Sequence, residues 1–117
     1  MAENRIAKID ELIRQELGKI LIKEVEFPLG TIVTITRVKT DGDVRHAIIY
    51  MAVYPDGHRG SALKIVTKKA SRLQHLLNRT LAMQHVPRLR FVLDTGESVF
   101  SAEEEVEEIF RKLQKES

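Results

Sequence analysis

Apolar residues near the amino end recur at steps of three and four: Ile6, Ile9, Ile13, Leu17, Ile20 and Leu21. That spacing predicts a helix from about Arg5 to Lys23. Pro28 and Gly30 then break the pattern. The stretch from Thr31 to Lys39 is rich in Thr, Val and Ile, the types that favour strands. His46 to Tyr54 is similar and sets Ala47, Ile49, Met51 and Val53 on one face. Between these runs lies Thr40-Asp41-Gly42-Asp43, and Asp-Gly is a strong hairpin signal, so the two strands are expected to pair antiparallel.

Pro55 to Gly60 reads as a loop, after which Ser61 is placed to cap a long helix reaching about Met83 or Gln84. Its inner stripe is Val66, Ala70, Leu73, Leu77 and Leu81. A third strand is expected at Arg88 to Leu93, with Leu89, Phe91 and Leu93 on one side. Asp94 to Glu97 turns the chain. The last helix runs from about Ala102 to Lys115 around Val106, Ile109, Phe110 and Leu113. Ser101 and Glu104 have capping-box spacing, and Glu107–Arg111 and Glu108–Lys112 are favourable i,i+4 pairs. The order helix, strand, strand, helix, strand, helix is an α+β pattern. The first two helices are the natural cover of a three-stranded sheet. We expect one domain, a core of about 1–97 followed by a carboxy-terminal helix of about 101–116.

Composition narrows the chemistry. The 117 residues contain no Cys and no Trp, and only 5% are aromatic. Disulfides and thiolate metal sites are therefore excluded, and broad aromatic stacking platforms are not expected. The absence of Cys fits a reducing compartment such as the cytoplasm. No apolar run is long enough to span a membrane, and the amino end mixes both charges, unlike a signal peptide.

Charge changes the picture more. No Asp or Glu occurs between Gly57 and Leu93, yet the stretch carries Arg59, Lys64, Lys68, Lys69, Arg72, Arg79, Arg88 and Arg90. Those eight positive charges leave −6 on the rest of a chain whose total is +2. One surface is thereby suited to a polyanion. On a single straight helix, Lys64, Lys68, Arg72, His75 and Arg79 would fall within an arc of roughly 80° and span ~22 Å. Arg88 and Arg90 are expected to extend the same surface. The plain alternative is a solvated helix face, but such faces normally mix signs.

Other candidates carry less. Gly57-His58-Arg59-Gly60 has the G-x-x-G spacing with which KH domains grip a nucleic-acid backbone, but it follows a strand and reads better as a connector. His46, His58, His75 and His85 are too scattered for a metal site, and no cofactor is expected. Asp41-Gly42-Asp43 lacks the spacing of a calcium loop. The acids from Glu103 to Glu108 suit a helix start through the macrodipole. No catalytic constellation is visible, so a binding protein is expected and not an enzyme.

The element order and several motifs together resemble the ribosome-binding factor A family over nearly the whole chain. They include the Arg5-Ile6 helix, Pro28-Leu29, the strand VTITRVKTDGD and Asp43-Val44-Arg45-His46-Ala47 followed by Ile48-Ile49-Tyr50. The most telling is Val86-Pro87-Arg88-Leu89-Arg90-Phe91-Val92-Leu93-Asp94, which matches the family's Pro-x-Leu-x-Phe-x-x-Asp signature. The resemblance implies a KH-like (type II) fold in which a kink in the second main helix, carrying Ala-x-Gly, replaces the G-x-x-G loop. Here the aligned residues are Ala70-Ser71-Arg72, so Arg stands where the family has Gly.

The resemblance also implies a monomeric ribosome biogenesis factor that binds the free small (30S) subunit and assists late processing of 16S rRNA. Ribosome-assembly GTPases are further candidate partners. Lys64, Lys68, Lys69, Arg72, His75, Arg79, Arg88 and Arg90 are the candidate RNA-binding residues. The alternatives are a general KH-like module for single-stranded RNA, or a protein-interaction domain working through its acidic terminal helix.

Overall fold

Helix α1 (Ala2–Glu24) turns Ile9, Ile13, Leu17 and Leu21 inward, the positions that its three-and-four spacing aligns. The computed structural model that shows this describes residues 2–96 and 102–116. Strands β1 (Ile32–Thr40) and β2 (His46–Tyr54) form the expected antiparallel hairpin, and β3 (Arg88–Leu93) adds to β2 in parallel, giving the order β1-β2-β3. A parallel neighbour needs a crossover, and α2 (Arg59–Lys68) with α3 (Ala70–Thr80) supplies it. Helix α4 (Ala102–Glu116) follows. The arrangement is α+β and KH-like.

The main core lies between the sheet and helices α1 to α3. It joins the α1 stripe to Ile35, Val38, Ala47, Ile49, Met51, Val66, Leu73, Leu77 and Phe91. Ile35 and Val38 are three apart and still share a face because a bulge interrupts the register between Ile35 and Arg37. Without that extra residue, strand alternation would turn Val38 outward.

Every side chain of β2 from His46 to Met51 is buried. The residues facing away from the main core, Ile48 and Tyr50, meet Val106, Ile109 and Phe110 of α4. The first two helical segments therefore cover only one face of the sheet, and the terminal helix covers the other. The Ser101–Glu104 capping box lies outside the described residues. Of the expected pairs within α4, Glu108–Lys112 is seen at 4.0 Å.

The hairpin is as expected, and the bounds of the long helix change. The hairpin turn is present, closed by Asp41 N–H donating to the His46 carbonyl at 2.9 Å. Gly42 and Asp43 are its central residues, with the Val44 N–H donating to the Asp41 carbonyl at 3.0 Å, and Val44 itself is left-handed, at φ +56°. The Asp41 carboxylate accepts the Arg45 amide at 2.8 Å and the His46 amide at 3.3 Å. Those bonds pin the chain just after Val44, whose positive φ is unusual for a β-branched residue. The long helix also begins earlier than expected, after a 3-10 turn at Asp56–His58, and ends at Thr80. Ser61 does not cap it; its hydroxyl donates to the His58 carbonyl at 3.1 Å.

Asp10 ties α1 to the end of β1 by accepting the Thr40 amide at 2.9 Å. Burial pushes its carboxyl above the usual carboxylate value, against the lowering effect of its bonds to Thr40. A raised value means that the folded chain holds this proton more tightly than the unfolded one. The charged form therefore costs stability once pH has risen through the shifted range. Asp10→Asn is expected to gain stability relative to the parent as pH rises from about 3.9 and to hold that gain to neutrality, read from urea midpoints across pH. A second expectation concerns α4. Val106→Asp removes an apolar anchor worth about 2 kcal/mol and should release the helix. Hydrogen exchange is expected to speed up in α4 while the amides of β2 paired to β1 stay protected.

Candidate nucleic-acid interface

The cationic segment is built on two helices, not one. Lys69 leaves the helix at φ −94°, ψ 2°, and its amide donates to the Ile65 and Val66 carbonyls at 3.2 and 3.0 Å. That tightened turn closes α2, and α3 starts afresh at Ala70. The kink that the resemblance placed at Ala70-Ser71-Arg72 is thus retained without Gly. Lys69 sits in the bridge region, which a non-glycine residue can adopt, so no glycine is required.

The break has an electrostatic result. No side chain caps the first turn of α3, and that turn contains no acid. Lys68 and Lys69 immediately precede it and Arg72 lies within it. A helix start carries partial positive charge and unsatisfied N–H groups, which favour an anion. The fixed dipole and the mobile cations therefore reinforce each other at one place.

Burial of Ala62, Val66, Leu73 and Leu77 decides which way the other side chains point. Lys64, Lys68, Lys69, Arg72, His75 and Arg79 are all exposed. Among them only Arg72 meets a carboxylate in the described residues, Glu24 of α1 at 3.7 Å, and its side chain stays 57% exposed. Gln74, which the sequence analysis passed over, fixes this helix against the sheet. Its amide nitrogen donates to the Pro87 carbonyl at 3.1 Å and its oxygen accepts the Leu89 amide at 2.9 Å. A Gln between two apolar stripe positions gives no such signal in sequence.

Arg88 and Arg90 do not extend this surface. Leu89, Phe91 and Leu93 face the main core, so alternation sends both arginines to the opposite side of the sheet. There they pair in register with His46 and Ile48 and line a small cavity closed by Leu113 of α4. The eight candidate residues thus divide into six on the α2–α3 face and two beside α4. Gly57-His58-Arg59-Gly60 is a connector: it forms the 3-10 turn and helix start, and His58 Nδ1 is 2.6 Å from the Thr31 hydroxyl. No group of acids and histidines able to hold a metal occurs among the described residues. No described helix is long and apolar enough to cross a membrane.

With the geometry in hand, comparison with known proteins is direct. The family model described as ribosome-binding factor A matches residues 5–110. Ribosome-binding factor A of Heliobacterium modesticaldum is 35% identical over 95 residues, covering 80% of this chain and 78% of that protein. The Bdellovibrio bacteriovorus protein of the same name is 30% identical over 107 residues, covering 90% and 80%. Among solved structures, ribosome-binding factor A from Thermus thermophilus superposes with a TM-score of 0.67 at 20% identity, covering 75% of this chain and 93% of that one. A Thermus thermophilus ribosome-binding factor A model fitted into a cryo-EM map of a 30S complex gives 0.55 at 23% identity, covering 73% and 94%. These relatives are named as ribosome-binding factors and not as enzymes. By its sequence match across nearly all of its length and by its KH-like fold, this chain belongs to the ribosome-binding factor A family.

Proposed function

We propose that this chain binds the free small ribosomal subunit and assists late maturation of its 16S rRNA, gripping folded RNA through phosphates on the outer face of α2 and α3. The observation that carries the proposal is the exposed, acid-free row of Lys64, Lys68, Lys69, Arg72 and Arg79 around the uncapped start of α3. A row of this kind fits a backbone that presents successive phosphates and carries no base information. The relative fitted into a 30S complex supports the same partner. The chain acts as a monomer in the cytoplasm and leaves before translation begins. Ribosome-assembly GTPases are the class of partner expected to act beside it. A general single-stranded RNA module is less favoured, because the G-x-x-G stretch is occupied in joining β2 to α2.

Lys68→Glu with Arg72→Glu should weaken co-sedimentation with free small subunits at least tenfold, on the order of 1.4 kcal/mol. The circular dichroism spectrum should stay unchanged. Arg88→Glu with Arg90→Glu, on the other side of the sheet, should do so far less. A second expectation separates structure from binding at Arg72. Its pair with Glu24 is half-exposed, so Arg72→Ala should change stability by less than about 1 kcal/mol in thermal unfolding while still lowering affinity for the particle.

A further inference from the structure

The amino-terminal part of α1, the hairpin turn and the connection from α3 to β3 enclose an open cleft of about 820 Å³. Arg72 approaches Glu24 at the far end of α1, whereas the residues after α3 line this cleft beside Arg5, Lys8 and Leu12. The two helices therefore run antiparallel, and the cationic face of α3 leads toward the cleft.

The chemistry of its walls is mixed in a particular way. Leu12 is a large apolar side chain left 40% exposed, and Ile9, Val44 and Met83 continue the apolar wall. Arg5 and Lys8 stand one turn apart on α1, and His85 lines the cleft from the α3–β3 connection. None of these three makes an ion pair among the described residues. Asp43 is the one acid in the lining among the described residues. Val44, held at φ +56° beside the hairpin turn, forms part of the wall.

An unstacked nucleotide has two apolar faces, polar edges and a phosphate, and this lining answers each. Leu12, Met83 and the Arg5 guanidinium offer surfaces for a base; Arg5, Lys8 and His85 offer positive charge for its phosphate. Asp43 can accept from an exocyclic amine. The volume lies within the range of small-ligand sites. We infer that the cleft takes one unstacked nucleotide of the RNA held by the α2–α3 face, a base contact added to a grip that otherwise reads only backbone. The inference rests on the proposed RNA binding and assigns that binding a second, separate contact.

The test places a photo-reactive side chain at the cleft, Leu12→p-benzoylphenylalanine, in the full chain bound to purified free small subunits. Irradiation should cross-link position 12 to one unpaired nucleotide of the rRNA. Leu12→Glu sets a carboxylate where base and phosphate would lie and should lower affinity for the particle about tenfold, with the far-ultraviolet spectrum intact. Lys8→Glu, which leaves the apolar wall in place, should also lower it. A cross-link to a ribosomal protein, or to no rRNA at all in a particle that carries the chain, overturns the inference. So does Leu12→Glu binding as tightly as the parent. Failure of the parent chain itself to bind the particle would instead strike the proposed function, and the cleft contact with it.

Discussion

β2 has to be buried on both faces, and most of the molecule follows from that. Its run from His46 to Met51 is buried throughout, so an isolated hairpin would leave Ile48 and Tyr50 wet. Helices α1 to α3 cover one face and α4 the other. Each buried aliphatic residue contributes about 1.5–3 kcal/mol relative to exposure, so both layers matter to the fold. Once β2 is central and β3 runs parallel beside it, the facing of every β3 side chain is fixed. The outer sides of α2 and α3 are then the largest part of the acid-free segment left open to a partner.

Charge separation does the rest. The segment from Gly57 to Leu93 keeps its cations, and the break at Lys69 adds an uncapped helix start at their centre. A side-chain cation can swing away or be screened, but a helix dipole is held in place by backbone geometry. The proposed grip uses the two together, phosphate favoured at one defined position and tolerated along a line. This is the physics expected of a binding factor that recognises folded RNA by shape and has little need of aromatic rings.

Much of this was legible in the chain. The periodicity of Ile6 to Leu21, the Thr/Val/Ile runs and the stripe through Leu73, Leu77 and Leu81 mark α1, β1, β2 and the inner face of the α2–α3 pair within a few residues. The break at Lys69 was not legible, because Lys-Lys-Ala-Ser contains no residue that opposes a helix. Its position came only with the family resemblance, which could not say whether Arg72 would keep it. The side taken by Arg88 and Arg90 was hidden for another reason: alternation puts them opposite Leu89 and Phe91, but what covers that side depends on where α4 docks. The Asp-Gly signal did mark the turn, which closes around Gly42 and Asp43, but the left-handed backbone of Val44 beside it left no mark in the sequence. The cleft joins three segments distant in sequence and leaves no local pattern.

The account stands or falls on phosphates held by the α2–α3 face. Its most direct test is the affinity for free small subunits titrated against salt concentration. Contacts from Lys64, Lys68, Lys69, Arg72 and Arg79 predict a log–log slope of roughly −3 to −5. Neutralising Lys64, Lys68 and Lys69 to Gln should flatten that slope by about two to three. A slope near zero in the parent, or one that those substitutions leave unchanged, would contradict it.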